Sequence, residues 1–322
     1  MIDKSQGKTI SQLLNEQAGI IVNGATNTVG SPQSLYLRGG AVGRTLILLD
    51  GVPVSDPSLI NNEFDFNLIS LNDVDRIEVC KGAQSTLYGS DAVGGVINII
   101  TNGKASSKKF NIEQTVAGGN LNTFKAYTKL LGSINKLSYN IRYARNYTGG
   151  FSSAVDKTGA GNFDRDSYNG NALTASVKYE FSNLFSAKAF YQSGKYITDF
   201  DAGAFSDSKD RTSDNKSNMA GISIEYKTDN IQLQALYRHA EVKRELFDDS
   251  TDAPGYLTRD NYNGKSDFID LFANIKINKQ FSWLQGIDHR SYSMKAVSFG
   301  TYPASPWGPA GTYGSTTDSS IN

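Results

Sequence analysis

Cysteine is nearly absent: the 322 residues hold one, so no disulfide forms within the chain. That residue, Cys80, has no histidine near it in sequence and reads as a small buried apolar side chain rather than a catalytic thiol. The two histidines, His239 and His289, stand outside any metal-ligand spacing. No GxSxG, HExxH, P-loop or CxxC motif occurs, and nothing points to an enzyme. No apolar run approaches the roughly eighteen residues of a transmembrane helix. Net charge is zero, which gives no footprint for nucleic acid. Proline (7) and methionine (3) are scarce whereas tyrosine (17) and phenylalanine (16) are abundant, a balance suited to long pleated strands. Alternating strands that cross a membrane leave no strong hydropathy signal, so a β-barrel stays open, as does a soluble all-β protein.

The first hundred residues read as a small α+β unit. Thr9 followed by Gln12 predicts a capping box, with Ile10, Leu13 and Leu14 on one helical face and Gly19 as the stop. Residues 46–49 are apolar on both faces and end at Asp50-Gly51, a tight-turn pair. Residues 76–81 alternate, with Arg76 and Glu78 on one side and Ile77 and Val79 on the other. Residues 96–100 are almost wholly apolar, as in a central strand, and Gly94-Gly95 precede them.

Beyond residue 109 a long alternating series begins. Leu137, Tyr139, Ile141 and Tyr143 oppose Ser138, Asn140 and Arg142. Leu173, Ala175, Val177, Tyr179 and Phe181 oppose Thr174, Ser176, Lys178 and Glu180. Ile231, Leu233, Ala235 and Tyr237 oppose Gln232, Gln234 and Arg238. A sandwich would turn the apolar face inward and a membrane barrel outward. Short turns near 133–135, 182–183, 229–230 and 278–279 alternate with long polar connections at 148–169, 199–215 and 247–264. This asymmetry favours a barrel with tight turns on one side of the membrane and long loops on the other. A first strand is expected near 110–117, about nine strands in all, and loop-like chain at 300–322.

Leu37-Arg38-Gly39, Leu46 to Val54 through Asp50-Gly51, Val74 to Gly82, and Ser85 through Tyr88-Gly89 to Gly94-Gly95-Val96-Ile97-Asn98 stand in that order. Together they closely resemble the plug domain of TonB-dependent outer-membrane receptors. The resemblance implies an α+β plug domain at 1–104, followed at 105–322 by antiparallel transmembrane strands of a β-barrel. Plugged transporters have about 22 strands, so about nine predict an incomplete barrel. Residues 1–7 lack the apolar core of a secretory signal. With no TonB-contacting segment ahead of the plug, a chain truncated at both ends is expected.

Within the family the resemblance is closest to the vitamin B12 (cobalamin) receptor type. It implies energy-coupled import at the outer membrane of a Gram-negative bacterium, driven by the TonB–ExbB–ExbD complex, with no covalent chemistry. A ferric siderophore, haem or oligosaccharide receptor is the alternative, or a surface binding module without transport. Candidate ligand contacts lie in the apical plug loops: Asn23, Thr26, Asn27 and Ser31, then Ser55, Asp56, Ser58 and Asn61. Two wall loops resemble the calcium-binding loops of cobalamin receptors and supply Asp156, Asp164 and Asp166, then Asp199, Asp201, Asp207 and Asp210 as candidate Ca2+ ligands. Lys157, Arg165, Lys209 and Arg211 in the same loops could instead neutralise them. Arg38, Arg76, Glu78 and Lys81 resemble plug charges that anchor it against barrel-wall groups of opposite sign.

Overall fold

The computed structural model describes residues 5, 7–59, 61–89, 91–101, 108–249, 254–306 and 308–321. The reading of Ile2-Asp3 as the tail of a first strand lies outside these residues, as does most of the 105–109 linker. The first part is a small α+β unit. Helix α1 (Ile10–Asn15) opens on the predicted capping box, where the Thr9 side chain accepts from the Gln12 N–H and the Gln12 side chain accepts from the Thr9 N–H. It ends at Glu16, one turn before Gly19. Strands β1 (Ile20–Asn23) and β2 (Ser34–Leu37) pair as an antiparallel hairpin. Then β3 (Thr45–Leu49), β4 (Val52–Pro53), β5 (Arg76–Lys81), the short helix α2 (Ser85–Tyr88) and β6 (Gly95–Ile100) follow. The sheet order is β4–β3–β6–β5, with β3 parallel to β6. The β3–β4 turn is Asp50-Gly51, both at positive φ (51° and 83°). The Asp50 carboxylate reaches across to accept from the Thr101 N–H and hydroxyl at 2.8 and 2.7 Å, tying the turn to the end of β6.

The sheet covers α1 and the β1–β2 hairpin with Ile47, Leu49, Ile97 and Ile99, all at least nine-tenths buried. On its other face Leu46, Leu48 and Val96 enclose Ala92. β6 is therefore apolar on both sides, as residues 96–100 predicted. Cys80 differs from expectation. It shares the Arg76/Glu78 side of the edge strand β5 and is exposed, because strand alternation gives it the polar face.

The second part is one antiparallel sheet of ten strands among the described residues: β7 (Asn111–Gly119), β8 (Thr123–Ile134), β9 (Leu137–Thr148), β10 (Tyr168–Glu180), β11 (Phe185–Asp199), β12 (Thr212–Lys227), β13 (Ile231–Asp248), β14 (Leu257–Lys276), β15 (Ser282–Tyr302) and β16 (Gly311–Ile321). Each pairs with its sequence neighbours, and β7 and β16 are the edges. The count is one above the sequence reading. Residues 300–322 looked like loop, yet β15 runs on to Tyr302 and β16 pairs with it from Tyr302↔Gly311 to Tyr292↔Ile321. Its sequence, GTYGSTTDSSI, has no apolar alternation, and the pairing with β15 supplies what propensity does not.

The wall is inside out relative to a soluble sandwich. On β9, Ile141 and Tyr143 are exposed while Arg142 and Ala144, which alternate with them, are buried (1% and 0% exposed). On β12, Ile222, Ile224 and Tyr226 all face outward and are exposed. The concave face holds the first unit. Gly194 and Gly264 allow this approach, since a Cβ there would meet the Leu68 carbonyl at 2.5 Å and the Ser58 nitrogen at 2.8 Å.

Candidate functional site

Two features carry chemistry: the contact between the inner unit and the wall, and an acidic cluster in the long loops.

The contact is polar, and its signs reverse the sequence reading. The inner unit supplies aspartates and the wall supplies cations. Asp75 accepts from Arg142 at 2.8 Å and stands 3.5 Å from Lys129. Asp56 pairs with Arg244 at 2.7 Å, and Asp91 with Arg290 at 2.6 Å. The second Nη of Arg142 donates to the Asp73 carbonyl at 2.6 Å. Tyr196 donates to Asp65 at 2.5 Å, Tyr168 to the Asn67 carbonyl at 3.1 Å, and Thr198 to the Val29 carbonyl at 3.0 Å. Asp73 is 1% exposed and neither carboxyl oxygen has a hydrogen-bond partner among the described residues. Burial pushes it up to about 7, against the pull of the Arg142 guanidinium.

The four sequence candidates for anchoring sit elsewhere. Arg76 and Glu78 are exposed and pair with each other at 2.7 Å, which with Asn98 holds Glu78 below the usual carboxylate range. Lys81 donates to the Ala18 carbonyl within the inner unit. Arg38, at φ 51°, is exposed in a turn beside Gly39. All four lie at the edge strand or a turn, and Arg76, Glu78 and Lys81 bond within the inner unit. The inward arginines were visible in sequence as charges on the polar side of wall strands, Arg142 and Arg238 among them. What sequence lacked was the partners of Arg142, Arg244 and Arg290, which are 67 to 199 positions away in the chain.

The apical loops divide. Thr26 and Asn27 line a cavity of about 290 Å³ between the inner unit and the wall, bounded also by Asn146, Tyr147 and Tyr168. Asn23 is exposed at the end of β1. Ser31 is 2.9 Å from the Thr28 hydroxyl, and its carbonyl accepts from Asn67 at 3.1 Å. Ser55 and Asn61 line a different cavity of about 130 Å³. Asp56 is buried and engaged by Arg244, and Ser58 donates to Asp56 while accepting from Arg244 at 2.9 Å. Both residues therefore stand in the contact with the wall.

The acidic loops converge. Residues 149–167 join β9 to β10, and residues 200–211 join β11 to β12. The Val155 N–H donates to the Ala204 carbonyl at 2.8 Å and the Lys157 ammonium sits over the Phe205 ring, so the loops are cross-braced. Asp164, Asp166 and Asp201 each place a carboxylate oxygen within 4.8 Å of the others. Asp207 joins them, accepting from the Asp164 N–H at 3.1 Å. Asp166 is 1% exposed, and Asp164 and Asp166 each keep a buried Oδ1 without a partner among the described residues. Burial and then the Asp207 charge push Asp164 up to about 6. Burial also raises Asp166, against the Ser153 hydrogen bonds. Burial would raise Asp201 too, but the Ala154 N–H at 2.6 Å, Ser152 and Ser208 outweigh it and hold it low.

Asp156, Asp199 and Asp210 serve other ends. Asp156 accepts from the Thr158 hydroxyl and from the N–H groups of Thr158, Gly159 and Gly161, folding its own turn. Asp199 accepts from Ser167 at 2.7 Å, and Asp210 from Ser208 at 3.1 Å. An all-oxygen cluster with two orphaned buried carboxylate oxygens fits a hard cation, and calcium takes six to eight such ligands at about 2.3–2.6 Å. Asp164, Asp166 and Asp201 are the residues that would hold it.

Comparison with known proteins agrees with this architecture. Residues 1–96 match the family model of the TonB-dependent Receptor Plug Domain. A vitamin B12 transporter, BtuB, of Vibrio cholerae serotype O1 is 39% identical over 109 residues, covering 33% of this chain and 17% of the relative. The BtuB of Vibrio vulnificus is 31% identical over 208 residues, covering 63% of this chain and 32% of the relative. The chain thus spans about a third or less of the length of these relatives. Among solved structures, the copper transporter OprC superposes with a TM-score of 0.71 at 14% identity, over 94% of this chain and 45% of that one. The unliganded ferric citrate transporter FecA gives 0.70 at 18% identity, over 96% and 50%. Residues 1–96 are thus a TonB-dependent receptor plug domain, and the ten strands match part of the barrel of TonB-dependent outer-membrane receptors.

Proposed function

We propose that this chain is the plug and part of the wall of a receptor that imports cobalamin by energy-coupled transport, with calcium ordering its external loops. The observation that carries the reading is the convergence of Asp164, Asp166 and Asp201 from two loops onto one point. The relatives named as vitamin B12 transporters support the cargo. Calcium at this point would cancel the repulsion among the carboxylates and fix both loops above the plug. Cargo would bind on the apical loops 23–34 and 55–62. The TonB–ExbB–ExbD complex, drawing on the proton-motive force, would then pull the plug. A plug held by separate ion pairs and hydroxyl contacts on several strands suits that role, because such contacts can release one at a time under force.

The test is equilibrium binding of cyanocobalamin to the purified receptor that carries this chain, with and without calcium. Tighter binding in calcium is expected, and Asp164→Ala or Asp201→Ala should abolish that gain. Cobalamin binding indifferent to both would remove calcium from the reading. Binding of a ferric siderophore, haem or an oligosaccharide in place of cobalamin would replace the cargo. Ligand binding without uptake would point to a surface module.

A further inference from the structure

One buried cation of the wall has no partner of opposite sign. Arg238 on β13 lies on the inner face and is 1% exposed. Among the described residues its hydrogen bonds go only to the hydroxyl and carbonyl of Ser266, and its Nε has none. The residues directly opposite it are Gly221 on β12 and Phe268 on β14, neither of which carries charge. Asp267, the next residue along β14, is on the outer face, where it accepts from Tyr237 at 2.8 Å and stands 2.9 Å from the His239 ring nitrogen. Arg290 shares the Phe268 ring with Arg238, their guanidinium carbons 5.3 and 5.9 Å from its centre. Arg290 is matched by Asp91 and Asp288 at 2.6 and 2.8 Å. Arg238 is left as the odd charge, and a buried ion without a counter-ion is strongly destabilising.

The surroundings select the counter-ion. Arg238 borders a cavity of about 20 Å³ between the wall and the plug. That volume takes a single water-sized particle and is too small for sulfate, phosphate or an organic acid. Ser55 of the plug and Gln192 and Ser217 of the wall line the same cavity, and none of these three side chains has a protein hydrogen-bond partner among the described residues. Their hydroxyl and amide groups can all donate, as can the Arg238 Nε. The lining holds no Asp or Glu. Phe64 and Met219 make part of it apolar, and a poorly polarisable surrounding strengthens the pull of a guanidinium on an opposite charge. A water molecule would take the hydrogen bonds and leave the charge. A cation would be repelled. A monoatomic anion satisfies both.

We propose that Arg238, Gln192 and Ser217 of the wall and Ser55 of the plug hold one chloride ion. The ion neutralises the guanidinium and accepts hydrogen bonds from both parts, so it joins plug to wall where no direct ion pair does. Asp56, the residue after Ser55, is bound to Arg244, and the chloride extends that anchor to the neighbouring side chain. The site does not depend on which cargo the receptor takes.

The probe is bromide, which replaces chloride and is seen by anomalous diffraction. Crystals of the purified receptor that carries this chain, grown in bromide, should show an anomalous peak beside the Arg238 guanidinium. In detergent, the thermal unfolding midpoint should rise with chloride concentration at an ionic strength held constant with gluconate, which is too large for the cavity. Arg238→Gln should lose both the peak and the chloride dependence. Ser217→Ala keeps the charge and removes one donor, so it gives a readout even where Arg238→Gln fails to fold. It should move the chloride dependence to about tenfold higher concentration. Absence of bromide at Arg238 would leave the cavity to water and overturn the site. So would a midpoint that rises equally with chloride in wild type and both variants, since the ion would then act elsewhere.

Discussion

Asp73 shows how one buried carboxyl links the plug to pH. Burial holds it protonated to about pH 7 in the folded chain, well above the ordinary carboxyl value of 3.8. Between those values the folded state binds a proton that the unfolded state has lost. Its contribution to stability therefore falls as pH rises from about 4 to about 7 and is level above that. Asp73→Asn should remove this slope and raise the unfolding temperature at pH 8, read from thermal unfolding across that range. Asp164 obeys a related linkage in the loops. Calcium requires its ionised form, so the proposed affinity should weaken as pH falls through about 6. Calorimetric titration at pH 7.5 and 5.5 would show it, and an affinity that ignores this interval would place the ion elsewhere.

At the scale of elements, the wall strands reach the plug through glycine and arginine. Gly194 on β11 brings the backbone against the turn Phe66–Leu68, where an added Cβ would meet the Leu68 carbonyl at 2.5 Å. That neighbour is backbone and cannot rotate away. Gly194→Ala should loosen the plug by about 1–3 kcal/mol. The check is a lower denaturant midpoint together with faster proteolysis of the plug. Around this close contact, Arg142, Arg244 and Arg290 lie on β9, β13 and β15, so the ion pairs are spread over much of the sheet rather than gathered at one point.

At the scale of the whole molecule, the inverted wall decides its solvent. Ile224 is 41% exposed on the outer face, within the apolar band of β12. Ile224→Arg should destabilise the receptor in bilayers by about 2–4 kcal/mol. The measurement is equilibrium unfolding from lipid vesicles. A soluble sandwich would tolerate a charge at an exposed position. An unchanged stability would therefore contradict the lipid-facing assignment of this face.

The sequence by itself determined the elements of the plug and most of those of the wall. Thr9 and Gln12 set the capping box, Asp50-Gly51 set the turn, and the alternation around Ile141 and Leu233 set which wall residues share a face. These are local, decided by dihedral preference and a period of two. Strand β16 was not legible, because its Gly, Ser and Thr residues pair only where β15 already stands. Cys80 was misread because alternation gives its side but not whether that side is covered. The tertiary structure alone decided the charges. Asp56, Asp75 and Asp91 find Arg244, Arg142 and Arg290 across 67 to 199 positions of chain, and Asp164, Asp166 and Asp201 meet only because two hairpins lie side by side. Pairing at such separations leaves no periodic trace in a single sequence, since any aspartate on an inner loop could serve any inward arginine until the fold sets the distance.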